Sequence, residues 1–141
     1  MTNSPDATTG LSFLLYRSNA APWLTNDDMR AILASARDRN RDLSLTGCLH
    51  HEAGLFFQWL EGPAPAVQEV LALLRRDRRH SALNILSSGP LEHRLFRNWT
   101  MRYSDRDQMS LMDWFAGSDS STVNPQDYVR SVVSFLRMLP G

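Results

Sequence analysis

The chain is polar for its first ten residues and turns apolar at Leu11–Arg17, the run LSFLLYR. A short run rich in aromatic and branched side chains predicts a buried strand. Alternation places Ser12, Leu14 and Tyr16 on one face and Leu11, Phe13 and Leu15 on the other. The rhythm then changes. In NDDMRAILASARDRN, residues 26–40, Met29, Ile32, Leu33 and Ala36 recur at helical spacing. Asn40 lies about three turns beyond Met29 and continues that stripe to the helix end. Thr25, with Asp28 behind it, predicts the helix start. Two strand-like runs follow, Leu43–His51 and Gly54–Glu61, with EAG as a hairpin turn. Gly62–Pro65 breaks the pattern. A second helical stripe carries Val67, Val70, Leu71 and Leu74 and ends in the charged segment 75–81. Ala82–Ser87 reads as a strand, Gly89–Pro90 as the start of a turn region, and Arg97–Tyr103 as a last strand with Trp99, Met101 and Tyr103 on one face.

This order predicts an α+β domain with a ferredoxin-like βαββαββ core: a mixed five-stranded sheet with two helices on one face. Phe13 and Leu15 then need cover on the other face. The tail offers it. Ser104 and Asp107 resemble a capped start for a helix in DRDQMSLMDWFAG, with Gly117 as its stop. SDSSTV reads as a linker, and Asn124–Pro125 opens a helix striped by Tyr128, Val132, Phe135, Leu136 and Leu139. Two C-terminal tail helices are expected on the open sheet face, of this molecule or of a partner. The expected divisions are a flexible N-terminus at 1–10, a core domain at 11–104 and a helical extension at 105–141.

Composition narrows the function classes. Hydrophobic residues at 43% and charged residues at 21% suit a globular chain rather than a disordered one. Fifteen basic residues balance fifteen acidic ones, so no global field draws the chain to nucleic acid or an anionic membrane. The single cysteine, Cys48, excludes an internal disulfide framework. No secretory signal and no run near the ~20 residues of a membrane span occur, so a soluble cytoplasmic domain is expected. His50 and His51 are adjacent on a strand and point apart, so no metal site is expected. Phosphate loops and nucleophile elbows are absent, so no catalytic residues are assigned. RRDRRHS, residues 75–81, reads as a charged helix end or a phosphate patch.

Three polar residues sit where apolar ones are expected. Gln58 shares a strand face with Phe56 and Leu60, opposite Phe57 and Trp59. A solvent-facing or backbone-satisfied amide is the ordinary reading. A buried one needs partners, and a polar ligand is one source of them. Asn40 suits a helix C-cap or a ligand contact, and Tyr16 a core tyrosine or a pocket wall. All three can converge between sheet and helices.

The ordered set LLYRSNA (14–20), RN (39–40), LTGCLHHEAGLFFQWLEG (45–62), RDRRHS (76–81) and RLFRNWTMRY (94–103) resembles the BLUF domains, blue-light sensors that bind FAD. The resemblance covers about residues 11–104. It implies a flavin ring between the two core helices. Tyr16 matches the family's photoactive tyrosine, Gln58 the glutamine between it and the flavin N5/O4 edge, and Asn40 the asparagine on O4 and N3. Asp77, Arg79 and His80 match residues beside the flavin, and Ile32 and Phe56 its apolar walls. Trp99 and Met101 match the pair tied to signal output. Arg39 and Ala36 depart from the commoner histidine or asparagine and serine at these places.

The resemblance further implies reversible electron and proton transfer from Tyr16, with Gln58 left rearranged by rotation or tautomerisation. The few residues beyond the match imply action on a separate effector protein, and a homo-oligomer is expected. The competing expectation is a light-insensitive ligand-binding or assembly module of the same fold.

Overall fold

A computed structural model describes residues 10–116 and 125–138. In chain order these form β1 (Leu11–Ala20), α1 (Asn26–Leu43), β2 (Thr46–Glu52), β3 (Leu55–Pro63), α2 (Ala64–Arg76), β4 (His80–Leu91), β5 (Arg102–Asp105), α3 (Leu111–Ala116) and α4 (Pro125–Met138). The strands make one five-stranded sheet in the order β4-β1-β3-β2-β5. β5 runs parallel to β2 and every other pair is antiparallel, so the sheet is mixed as expected.

Local chemistry accounts for the boundaries. Thr25 accepts the Asp28 N–H while the Asp28 carboxylate accepts the Thr25 N–H, a closed capping box at the head of α1. The helix runs past Asn40 to Leu43 and stops at Ser44, whose left-handed backbone (φ 59) returns its N–H to the Arg41 and Asn40 carbonyls. Asn40 is therefore not the cap; it is a wholly buried residue of the last turns. Ala53 and Gly54 both have positive φ (53 and 74), giving a two-residue turn that fixes Leu49 opposite Gln58. Gly89 and Pro90, expected to begin a turn, lie inside β4. That strand is at the sheet edge, where a residue without an N–H is tolerated.

The sheet has two cores. On one face Leu14, Tyr16, Phe56 and Leu60 pack with Met29, Leu33 and Ala36 of α1 and Val67 and Val70 of α2. On the other, Leu15, Phe57 and Trp59 pack with Leu111 of α3 and Val132, Phe135 and Leu136 of α4. The tail helices thus cover the open face of their own molecule. α3 begins at Leu111 rather than near Asp105, because residues 105–109 close a turn through Gln108 and Met109 N–H bonds to the Asp105 carbonyl. Residues 1–9, the expected stop Gly117, the linker, Asn124 and Leu139 fall outside the described residues.

The last strand departs most from expectation. β5 spans only Arg102–Asp105, so Trp99 and Met101 precede it, and they face opposite ways. Trp99 packs in the tail-side core and Met101 in the helix-side core. Single bonds, not a strand ladder, hold this stretch. Gly47 N–H donates to the Trp99 carbonyl (2.8 Å), Asn40 Nδ2 to the Thr100 carbonyl (2.6 Å) and Arg37 Nε to the Met101 carbonyl (3.1 Å).

Candidate functional site

The strand register brings Tyr16 directly opposite Gln58 on neighbouring strands, both facing α1 and α2. Both are buried, at 2% and 4% exposure. The Tyr16 hydroxyl donates to Gln58 Oε1. Gln58 Nε2 donates to Met101 Sδ at 3.7 Å. The second N–H of that amide has no partner among the described residues. Burial pushes the Tyr16 phenol above its ordinary pKa; Arg39 opposes that shift and Asp77 adds to it. Tyr16 is accordingly a protonated donor at neutral pH.

This pair forms the floor of a cleft between the sheet and the two helices, with about 520 Å³ of empty space including its open mouth. Its apolar walls are Ile32 and Ala36 of α1, Leu49 and Phe56 of the hairpin, and Leu74 of α2. Asp77, Arg79 and His80 close the α2–β4 end. Asp77 grips the Arg79 guanidinium through both carboxylate oxygens (2.9 and 2.8 Å) and also accepts the Arg79 backbone N–H. The Arg79 guanidinium bonds hold the Asp77 carboxyl below its usual range, against the opposing effect of burial. His80 Nε2 donates to the Leu74 carbonyl (2.7 Å), which leaves Nδ1 to accept the Ser18 hydroxyl (2.7 Å). The ring is thereby fixed, its centroid 6.0 Å from that of Tyr16 and 6.4 Å from that of Phe56.

Seven of the residues expected to hold a ligand thus line one cleft: Tyr16, Ile32, Phe56, Gln58, Asp77, Arg79 and His80. Asn40 does not line it; its Nδ2 is committed to the Thr100 carbonyl and its Oδ1 accepts Arg39 Nη2 at 3.4 Å. Of the expected output pair, Met101 lines the cleft and touches Gln58, while Trp99 is on the far side of the sheet. Leu49 and Leu74 were missed as walls. Counting back from the hairpin turn would have set Leu49 against Gln58, and Leu74 was already on the α2 stripe. Cys48 is buried among the tail-side apolar groups, and desolvation pushes its thiol up, which suits a core residue rather than a nucleophile. Among the described residues there is no cluster of three or more metal-ligating side chains, and no helix is long and apolar enough to cross a membrane.

An apolar slot with polar groups at its floor and one end suits a flat heteroaromatic ring with several acceptor atoms. Donors open to it include the spare Gln58 N–H and Arg39 Nε, which is buried without a partner. Fold and slot together define a ferredoxin-like binding domain for such a ring. The profile of the BLUF family, "Sensors of blue-light using FAD", matches residues 11–102, and the chain belongs to that family. The family's cofactor is FAD, and the isoalloxazine, ringed with acceptor atoms, fits the open donors. The photoactivated adenylate cyclase subunit beta of Euglena gracilis is 33% identical over 130 residues, 89% of this chain and 15% of the relative. The chain therefore spans about 15% of the length of such curated relatives. The dark-state structure of BlrB, a BLUF protein, matches at TM-score 0.75 and 30% identity, covering 89% of this chain and 97% of that one. The photo-activated state of BlsA matches at TM-score 0.79 and 26% identity, covering 92% and 96%.

Proposed function

We propose that this chain is a blue-light photoreceptor whose switch is the hydrogen-bonded chain Tyr16–Gln58–Met101, and that it signals to a separate protein. That chain along the floor of the cleft is the observation that carries the reading. Bound FAD supplies the absorption of blue light and a reversible electron acceptor. Tyr16 would transiently give up one electron and its phenolic proton towards the flavin, the proton by way of Gln58, whose Oε1 its hydroxyl bonds, and both would return. Gln58 is left rotated or as the other tautomer, so its bonds to Tyr16 and Met101 change. Asp77, Arg79 and His80 orient the ring from the α2–β4 end, and Asn40 acts on its edge by holding Thr100 and Arg39. A buried Gln58 group that loses its partner in that exchange costs roughly 1–3 kcal/mol. That equals a typical allosteric coupling of about 1–3 kcal/mol, enough to bias a partner surface without large motion.

The test is spectroscopic. Purified protein should bind FAD, and a blue flash should shift its absorption reversibly to the red. Tyr16→Phe and Gln58→Leu should keep the flavin and lose that photoproduct. A normal photocycle in either variant would refute the assigned roles. Bound flavin with no response to light would leave the light-insensitive module as the better reading.

A further inference from the structure

We propose that two adjoining clefts around Trp99 form a docking site for an acidic segment of a partner protein. One cleft, with about 480 Å³ of empty space including its open mouth, carries Arg37 and Arg102; the other, with about 550 Å³, carries Arg97 and Arg137. Asn98 and Trp99 line both and join them. Among the described residues neither cleft has a carboxylate in its lining.

The charge there is not a by-product of a basic chain, since the whole sequence is neutral. Four arginines elsewhere pair with nearby aspartates (Arg30 with Asp27, Arg41 with Asp38, Arg79 with Asp77 and Arg130 with Asp127), and the other unpaired ones are not gathered about one indole as these are. The four around Trp99 form no ion pair among the described residues. Arg102 lies over the Trp99 ring at 5.6 Å, and its Nε is buried without a hydrogen-bond partner. A guanidinium over an indole, with no carboxylate partner of its own, is suited to receive a carboxylate. An acidic protein segment fits better than nucleic acid for two reasons. A neutral chain lacks the field that concentrates a polyanion. Trp99 is also engaged by Phe96 (5.4 Å between centroids) and by Arg102, which makes it a poor platform for a base.

The site is wired to the switch. Met101 lines both the Arg37–Arg102 cleft and the flavin cleft, and Arg37 bonds its carbonyl. Arg137 brings α4 to the same site. Light dependence of docking rests on the proposed photoreceptor function; docking itself does not.

The test uses the full FAD-loaded chain and a fluorescein-labelled peptide of alternating glutamate and leucine, read by anisotropy. In the dark the peptide should bind saturably and more weakly as salt rises, and its glutamine counterpart should not bind. Arg97→Gln with Arg137→Gln, both exposed, should weaken binding about tenfold or more, as should Arg102→Gln. The flavin spectrum checks that each variant is folded. Equal binding by the glutamine peptide or by the variants overturns the site. So does displacement by equimolar inorganic phosphate, or tighter binding of single-stranded RNA. Under blue light the affinity should change about fivefold or more. Equal dark and light affinities with an intact photocycle overturn the coupling. Peptide binding without any photocycle upholds the docking site and refutes the photoreceptor reading instead.

Discussion

Replacing Glu52 by glutamine should loosen the tail helices and flatten the acid dependence of stability. Glu52 ends β2 at 2% exposure, on the tail side of the sheet. Oε1 accepts His50 Nε2 (2.9 Å) and the Leu111 N–H (2.6 Å); Oε2 accepts the Ser110 hydroxyl (2.6 Å) and the Met112 N–H (3.2 Å). One carboxylate therefore closes the head of α3. Each oxygen carries a backbone N–H, so an amide in either orientation sets an NH₂ against one of them. A buried donor left unpaired costs roughly 1–3 kcal/mol, and bonds to a charge are worth ~1.5–3 kcal/mol. Glu52→Gln should thus lose about 2–4 kcal/mol at pH 7. Burial alone would raise the Glu52 pKa, but the bonds from Ser110, His50, Leu111 and Met112 outweigh it and lower it from 4.5 to about 2. A depressed folded pKa stabilises the protein above the unfolded value and ceases to do so as pH falls through the folded one. The wild type should therefore lose stability between pH 4.5 and about 2, by about 3 kcal/mol at ~1.36 kcal/mol per unit. The variant should lack that component. Urea midpoints across this window, for both proteins, measure the difference. Parallel pH profiles, or equal midpoints at pH 7, would refute the reasoning.

Glu61→Gln should cost a similar ~2–4 kcal/mol, since Glu61 accepts the Thr46 hydroxyl, Trp59 Nε1 and the Leu95 and Phe96 N–H groups; amide exchange at Leu95 and Phe96 should accelerate. Gly47→Ala should destabilise by about 2 kcal/mol or more, because a Cβ there collides with the Trp59 backbone; a urea midpoint equal to wild type would contradict that packing. Met101→Leu removes the sulfur that accepts from Gln58 while keeping the volume. In the proposed switch that bond is worth ~1 kcal/mol or less, so flavin affinity should hold and dark recovery should change by up to about fivefold. Flash kinetics indistinguishable from wild type would remove Met101 from the switch.

The parts of this site legible in the sequence were those governed by strand alternation. A period of two assigns each side chain to a face, so Tyr16 and Gln58 could be put on the helix side before any pairing was known. The motif order then supplied the flavin. The stretch before β5 was misjudged because RNWTMRY alternates like a strand while its backbone is held by Gly47, Asn40 and Arg37. Its partners lie 52 to 64 residues earlier, and no local rhythm reports them. Glu52 and Glu61 were opaque for the same reason. Each looks like a charged strand end. Their burial is decided by backbone N–H groups that arrive 34 to 60 residues later.

Residues 94–101 then gain a particular meaning. They pass from one face of the sheet to the other: Phe96 and Trp99 lie in the tail-side core, and Met101 beside Gln58. Glu61 anchors the first part, and Gly47, Asn40 and Arg37 anchor successive carbonyls of the last part. The neighbouring strands are held by continuous ladders, which a change of ~1–3 kcal/mol at one amide cannot disrupt. A segment tied by single bonds to separate elements can shift for that energy. In the proposed mechanism a rearranged Gln58 therefore acts on Met101 first. The response emerges at Trp99, because the chain between them is short and each intervening carbonyl is fixed to a different element. In that mechanism Met101 carries the change to the Arg37–Arg102 cleft that it lines, and Trp99, facing the other way, carries it on to the Arg97–Arg137 cleft.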